Sequence, residues 1–159
     1  MFIASAASAD PAADIFQGFQ AKSTDPIQVD AQSLETYEDG PQRVSVFSGG
    51  VTVKRGNTQM TANEIKLYSG NDPTASSSFS RIEASGKIRV ASEGQVVTGD
   101  TAVVDMKTNT ITVEGNVVLS QGPNVISGAR LVVNLATGRA RVEQAPGKQI
   151  RGVFTPSNN

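Results

Sequence analysis

Residues that could carry out chemistry are few in this sequence. Histidine and cysteine are both absent, which removes the commonest general base, thiolate catalysis and the usual nitrogen and sulfur ligands of metals. The acidic residues stand singly in predicted turns and on strand faces, without a paired motif for glycoside hydrolysis. The serines at 76–78 have no histidine to activate them and are interpreted as part of a flexible loop. We therefore predict that the protein is not an enzyme and needs no cofactor.

Two further patterns resemble parts of known ligand-binding sites, one for a metal ion and one for phosphate. Asp100 and Asp105 flank an apolar strand, as a pair of metal-binding carboxylates can, but solvated strand ends are the simpler interpretation. The pair Gly49-Gly50 opens a predicted strand, whereas a phosphate-binding glycine loop opens a helix. We predict no metal site and no phosphate-binding loop.

The charged residues argue against nucleic acid as a partner. The formal net charge is −1 and no block of basic residues occurs, so the electrostatic signature of nucleic-acid binding is missing. Several cations lie on or beside predicted outward strand faces, where they keep a sheet soluble. The alternative is a cationic rim that contacts phosphate or acidic sugar groups. The cations concerned are Lys54, Lys66, Lys87, Arg89 and Arg130.

The chain contains a unit that is repeated three times, and this unit would position the candidate functional residues. Residues 114–133 align without a gap with residues 85–104 and with residues 48–67. Each copy opens with a glycine and then reads as an alternating strand, a glycine-containing turn and a second strand. The opening glycines are Gly49, Gly86 and Gly115. This spacing predicts a β-repeat protein.

The second strand of each copy changes its alternation at a small residue. In the first copy the apolar set runs from Met60 and Ala62 by a step of three to Ile65 and Leu67. An odd step would turn the side chains to the opposite face. A bulge or corner at the small residue keeps both parts of the strand on one interior. The same step follows Gly99 and Gly128, so the repeats predict a curved, wrapped sheet.

The whole chain is predicted to form one all-β domain of about sixteen short strands. We expect the domain to span residues 26–154, with a surface loop at 69–80 and a disordered tail at 155–159. Residues 1–25 are expected to contain the remnant of a cleaved secretory signal and a flexible lead-in, because Ala7-Ser8-Ala9 has the form of a cleavage site. The alternative is a plain Ala/Ser-rich tail. No apolar run is long enough for a transmembrane helix.

Five segments carry a resemblance to a known family: residues 26–31, 47–53, 59–65, 113–119 and 127–131. Their order, with three in-phase copies after a half-repeat, resembles the OstA-like (LptA) family of lipopolysaccharide-transport proteins over about residues 25–154. The resemblance implies a twisted, slightly open β-jelly roll of antiparallel strands in the periplasm. Its apolar interior would shelter the acyl chains of lipopolysaccharide, on the way from the inner to the outer membrane.

The resemblance also implies binding residues and partners. Copies would stack head to tail through their terminal strands, and LptC-like and LptD-like proteins, which share the domain, would be partners. The implied stacking edges contain Ile27, Val29, Ile150, Val153 and Phe154. The implied head-group contacts are Lys54, Lys66, Lys87 and Arg89. The interior positions, assigned by alternation, are Ile27, Val29, Phe47, Val51, Val53, Met60, Ile65, Leu67, Ile88, Val90, Val97, Val104, Ile111, Val113, Val117, Leu119, Ile126, Leu131 and Val133.

Three hypotheses about function stay open from the sequence. The first is a non-enzymatic lipid carrier and bridge. The second is a structural or polysaccharide-binding β-repeat protein whose core is filled by its own side chains. The third is an enzyme, for which no catalytic constellation is visible.

Overall fold

The structure, a computed structural model, describes residues 25–70 and 79–156. The predicted signal remnant, most of the lead-in, most of the 69–80 loop and the last three residues of the tail lie outside the described residues. Within the described part, the regular elements are ten strands. They are Gln28–Asp30 (β1), Ser33–Asp39 (β2), Gln42–Arg55 (β3), Thr58–Gly70 (β4), Phe79–Ser92 (β5), Gln95–Asp105 (β6), Thr110–Gln121 (β7), Asn124–Asn134 (β8), Ala140–Glu143 (β9) and Arg151–Val153 (β10). The prediction of an all-β fold is confirmed.

The strands form one antiparallel sheet whose ends do not meet. Neighbours follow the order β1-β3-β4-β5-β6-β7-β8-β10, while β2 also pairs with β3 and β9 also pairs with β8. Several pairs of consecutive strands are joined by tight turns, such as that at Gly40 and Pro41 between β2 and β3. The terminal strands β1, β2, β9 and β10 each pair with one neighbour, so each leaves one edge without a partner strand.

A bend crosses the six long strands, β3 to β8, at equivalent positions. Between β3 and β4 the register skips from Ser48 opposite Glu64 to Val51 opposite Ala62, and a similar skip recurs in the next four pairings. In every case the extra residue belongs to the strand that carries the opening glycine. Two successive residues there have positive φ, as at Gly49 (84°) and Gly50 (66°). This backbone forms the bulge that bends the sheet.

The sequence placed this bend at the small residues Ala62, Gly99 and Gly128, which face the glycine bulges. The odd step in the apolar pattern is present, because Ala62 and Ile65 are both buried. The extra residue nevertheless lies on the facing strand, where glycine adopts left-handed angles at low cost. Strands β3, β5 and β7 therefore continue through their opening glycines instead of starting there.

The bend divides the sheet into two halves. The A half contains β2, β9 and residues 42–48, 64–70, 79–85, 101–105, 110–114 and 130–134, and the B half contains β1, β10 and residues 51–55, 58–62, 88–92, 95–99, 117–121 and 124–128. Six divided long strands and four short strands give sixteen segments. The predicted number of about sixteen corresponds to these segments, not to the ten continuous strands.

The core joins the two halves. Buried side chains such as Val53 and Val90 of the B half and Ile65 and Ile111 of the A half belong to one hydrophobic cluster. Along the long strands, buried apolar residues on the inner face alternate with outward residues that are mostly polar or small, as a sheet with one wet face requires. Burial of this cluster is the main favourable contribution to folding.

In the described part of the chain there is no helix that could cross a membrane.

Candidate functional site

The interior is lined by the residues that alternation assigned to it. All of the predicted interior positions are members of the hydrophobic cluster: most are buried, and Ile27, Val29, Phe47 and Ile126 are partly buried and pack against it. Val117 and Leu119 point inward, while Val118 between them is paired with Ser127 on the outer face. Whether these residues bind lipid stays a prediction.

Several interior residues were missing from the predicted set. Ile82, Ala84, Ala102 and Leu135 are buried in the same cluster. The first three sit at positions equivalent to predicted members, so the repeat itself was a sufficient signal. Leu135 follows the end of β8, and the alternation gave no signal for it; its N–H donates to Asn109 O at 2.7 Å.

The inner face is covered in the middle of the sheet and uncovered at both edges. At the β2 edge, Leu34 pairs with Phe47 and therefore points to the inner side, yet it is 58% exposed. At the other edge, Phe154 is 65% exposed. Its ring lies over the inner side of Gly152, where a Cβ would come within 2.7 Å of it. Apolar side chains thus extend from the closed core to two exposed margins.

The predicted stacking edges are only partly exposed. Ile27 and Val29 are half-buried against the core, whereas Ile150, Val153 and Phe154 are exposed. On the N-terminal side the exposed apolar residues are instead on β2, at Leu34 and Tyr37. The sequence identified the half-repeat that contains β2 but did not show that β2 lies at the margin. A role in stacking stays a prediction for all these residues.

The two ends of the interior differ in polarity. At the B-half end, the inward row closes with polar side chains that include Arg55, Thr58, Ser92 and Gln95. The Arg55 Nε donates to Asp25 O at 3.0 Å. At the A-half end, apolar side chains and a cavity of about 440 Å³ are found. The cavity is lined by Pro41, Gln42, Gly70, Phe79, Ser80, Met106 and Lys107.

The predicted head-group cations do not converge on one site. Lys54 and Arg89 lie on the outer face of the B half, Lys66 lies on the outer face of the A half, and Lys87 lies at the bend with φ 54°. Arg130 also lies on the A half. Lys66 and Arg130 form ion pairs with carboxylates, at 3.9 Å and 3.3 Å respectively. No single cationic rim is formed.

The remaining polar groups of the described residues form neither a metal cluster nor a strongly perturbed site. Among residues 25–70 and 79–156, no acidic cluster could hold a metal ion. Burial raises the pKa of Tyr68, and the charge of Glu83 raises this pKa further. The Tyr68 hydroxyl therefore stays neutral near pH 7 and donates to Glu83 Oε2 at 3.2 Å. This contact holds two strands of the A half together on their outer face.

Comparisons with known proteins identify similar chains. The family described as "LptA/(LptD N-terminal domain) LPS transport protein" matches residues 28–139. An uncharacterised protein of Rhizobium meliloti (strain 1021) is 33% identical over 151 residues, which cover 92% of this chain and 80% of the relative. The crystal structure of LptH from Pseudomonas aeruginosa superposes with a TM-score of 0.65 at 21% identity, covering 83% of this chain and 96% of that chain. LptH is described as the LptA-homologous periplasmic component of a conserved lipopolysaccharide transport device.

Proposed function

Because this chain belongs to the family of LptA and LptD N-terminal domain lipopolysaccharide transport proteins, we propose that it is a periplasmic, non-enzymatic carrier of lipopolysaccharide. It receives the acyl chains on its inner face and passes them from one copy to the next between the inner and outer membranes. LptC-like and LptD-like proteins are the proposed partners at the two ends of this path. The periplasmic location is supported by the described role of LptH.

One observation carries the proposal: the apolar inner face continues onto edges that none of the described residues covers. Leu34 at one edge and Ile150 and Phe154 at the other are exposed on the same side of the sheet as the core. Each buried methylene of an acyl chain contributes about 0.8 kcal/mol. An acyl chain lying along such a margin therefore gains burial without first displacing the packed centre.

Entry beyond the margin requires the sheet to open. The middle of the interior is filled by its own side chains, so acyl chains reach it only if the two halves separate. An unclosed sheet can do this without breaking hydrogen bonds between strands, since β1 and β2 are not paired with β9 or β10. The bend is the axis about which such a movement would take place.

The filled interior also favours a second candidate function. Side chains such as Ile65, Val90 and Ile111 are completely shielded from solvent, as in a rigid β-repeat protein that binds a polysaccharide on its surface. In that case the exposed edge residues would serve only in contacts between protein molecules. Lipid binding separates the two functions.

The test replaces an inner-face edge residue and an outer-face residue of the same strand. Leu34→Asp places a charge where we propose that acyl chains lie, while Tyr37→Asp does so on the outer face; both parent side chains are exposed. We expect Leu34→Asp to melt like the parent, because an exposed substitution changes stability by about 0.5 kcal/mol or less. Tyr37→Asp should melt somewhat lower, because Tyr37 is paired with Val44, which is completely buried on the outer face. Leu34→Asp should lower the affinity for purified lipopolysaccharide by roughly tenfold, and Tyr37→Asp should not. Equal affinity of Leu34→Asp and the parent would favour the filled-core function.

Head-to-tail stacking is proposed through the unpaired edges. A terminal strand presents free N–H and C=O groups that can pair with a strand of another copy. A contact between unlike edges does not close on itself, so assemblies should grow with concentration. Deletion of residues 149–159 removes β10 and should leave a folded protein that sediments as a monomer at all concentrations. Continued growth of the truncated protein would rule out this edge.

A further inference from the structure

The outer faces of the two halves differ in how their charges are arranged. Six ion pairs lie on the A half: five are on its outer face, and the pair of Arg43 with Glu38 is on the inner side. Arg130, for example, contacts Glu114 at 3.3 Å and Glu143 at 3.7 Å. The cations of the A half are thus mostly matched by carboxylates of the same surface.

The outer face of the B half is nearly uncharged from β5 to β10. Two rows of directly paired residues cross these strands, and both are made of alanine, valine, serine and threonine apart from two arginines. The first row is Arg89, Thr98, Val118, Ser127 and Arg151. The second row is Ala91, Val96, Ser120, Val125 and Val153. We call these two rows the B outer face.

The two arginines of the B outer face, Arg89 and Arg151, are exposed. Among residues 25–70 and 79–156, no carboxylate forms an ion pair with either of them. They are separated by four strand spacings, roughly 19 Å. Lys54 adds a further exposed cation on the outer side of the same half. These charges are too widely spaced to bind one small anion.

We propose that the B outer face docks on the surface of a lipid bilayer that contains anionic phospholipids. A surface of small polar and apolar side chains with few charges loses little on contact with the interfacial region, and Val153, which is 54% exposed, gains burial there. Cations spaced over the face match an extended anionic surface, and they are not neutralised in advance as those of the A half are. This docking is independent of the proposed acyl-chain binding, because it uses the opposite side of the sheet.

Sedimentation with vesicles tests the proposal on the full chain. The protein should bind vesicles of phosphatidylcholine and phosphatidylglycerol at low salt, less at high salt, and weakly or not at all vesicles of phosphatidylcholine alone. The double substitution Arg89→Gln and Arg151→Gln should lower the partition coefficient roughly thirtyfold. The matched control, Arg81→Gln and Arg141→Gln, removes the same charge from ion-paired arginines of the A half and should leave binding nearly unchanged.

Three results would overturn the proposal. One is equal binding to neutral and anionic vesicles, and another is an equal loss of binding in the two double variants. The third is a loss of vesicle binding in Leu34→Asp, which would mean that the inner-face edge holds the bilayer. Circular dichroism and melting of each variant show that a loss of binding is not a loss of fold. Lipopolysaccharide affinity measured on the same variants reports separately on the proposed carrier function, which can fail while vesicle docking persists.

Discussion

On the central strands β5, β6 and β7, the inward apolar side chains are between 0% and 8% exposed, apart from the partly buried Phe79 at the start of β5, whereas Leu34 on β2 is 58% exposed on the same side of the sheet. Both regions place apolar residues on the inner side of the sheet, but on β2 only Leu34 is apolar there, and Thr36 and Glu38 follow it on the same side. The central strands continue the apolar alternation and pack into the hydrophobic cluster. The comparison teaches that the repeated pattern supplies stability in the middle, while a single inward apolar residue outside the pattern supplies an accessible surface at the margin.

The largest expected effect is a loss of stability caused by a substitution in the filled centre of the sheet. Leu119→Asp would bury a carboxylate without a partner in the cluster, at a cost of several kcal/mol, which is comparable with the total stability of a small domain. Val118→Asp is the control, since Val118 is on the outer face of the same strand. Thermal melting followed by circular dichroism should show an unfolded or strongly destabilised Leu119→Asp and a nearly unchanged Val118→Asp.

The opposite outcome would be informative about the interior. A Leu119→Asp variant that melts like the parent would mean that water reaches this side chain, so the centre would be an open groove. The distinction drawn between a filled centre and uncovered edges would then be wrong.

These two regions show which features of the fold could be predicted from the sequence. Alternation and the threefold repeat predicted which residues face inward, because the period of a strand depends only on local geometry. The repeat also indicated the family, a resemblance that the match over residues 28–139 confirms. The exposure of Leu34 could not be predicted, since it depends on which strands end the sheet. The glycine of each repeat was interpreted as the start of a strand, although the chain continues through it as a bulge.

A smaller effect concerns the bend that connects the two halves. Gly86 has φ 81°, and a Cβ added there would lie 2.6 Å from the side chain of Asn63. Gly94 has the same φ of 81° with nothing within 4 Å. Gly94→Ala should therefore cost only about 1–2 kcal/mol for the left-handed backbone, and Gly86→Ala should cost more because it adds a collision.

A second substitution isolates the collision at the bend. Adding Asn63→Gly to Gly86→Ala removes the contacting side chain and should recover part of the lost stability in urea unfolding. If Gly86→Ala and Gly94→Ala are equally stable, close packing across the bend is not what holds the two halves at their angle.

The central proposal is that acyl chains contact the inner face at the uncovered edges. Photo-crosslinking with labelled lipopolysaccharide, from a photoreactive residue placed singly at position 34, 37, 153 or 154, tests this claim directly. Leu34 and Phe154 are on the inner side, while Tyr37 and Val153 are exposed on the outer side of the same edges. We predict crosslinks from positions 34 and 154 and none above background from 37 and 153. Crosslinks from 37 and 153 without any from 34 and 154 would contradict the account.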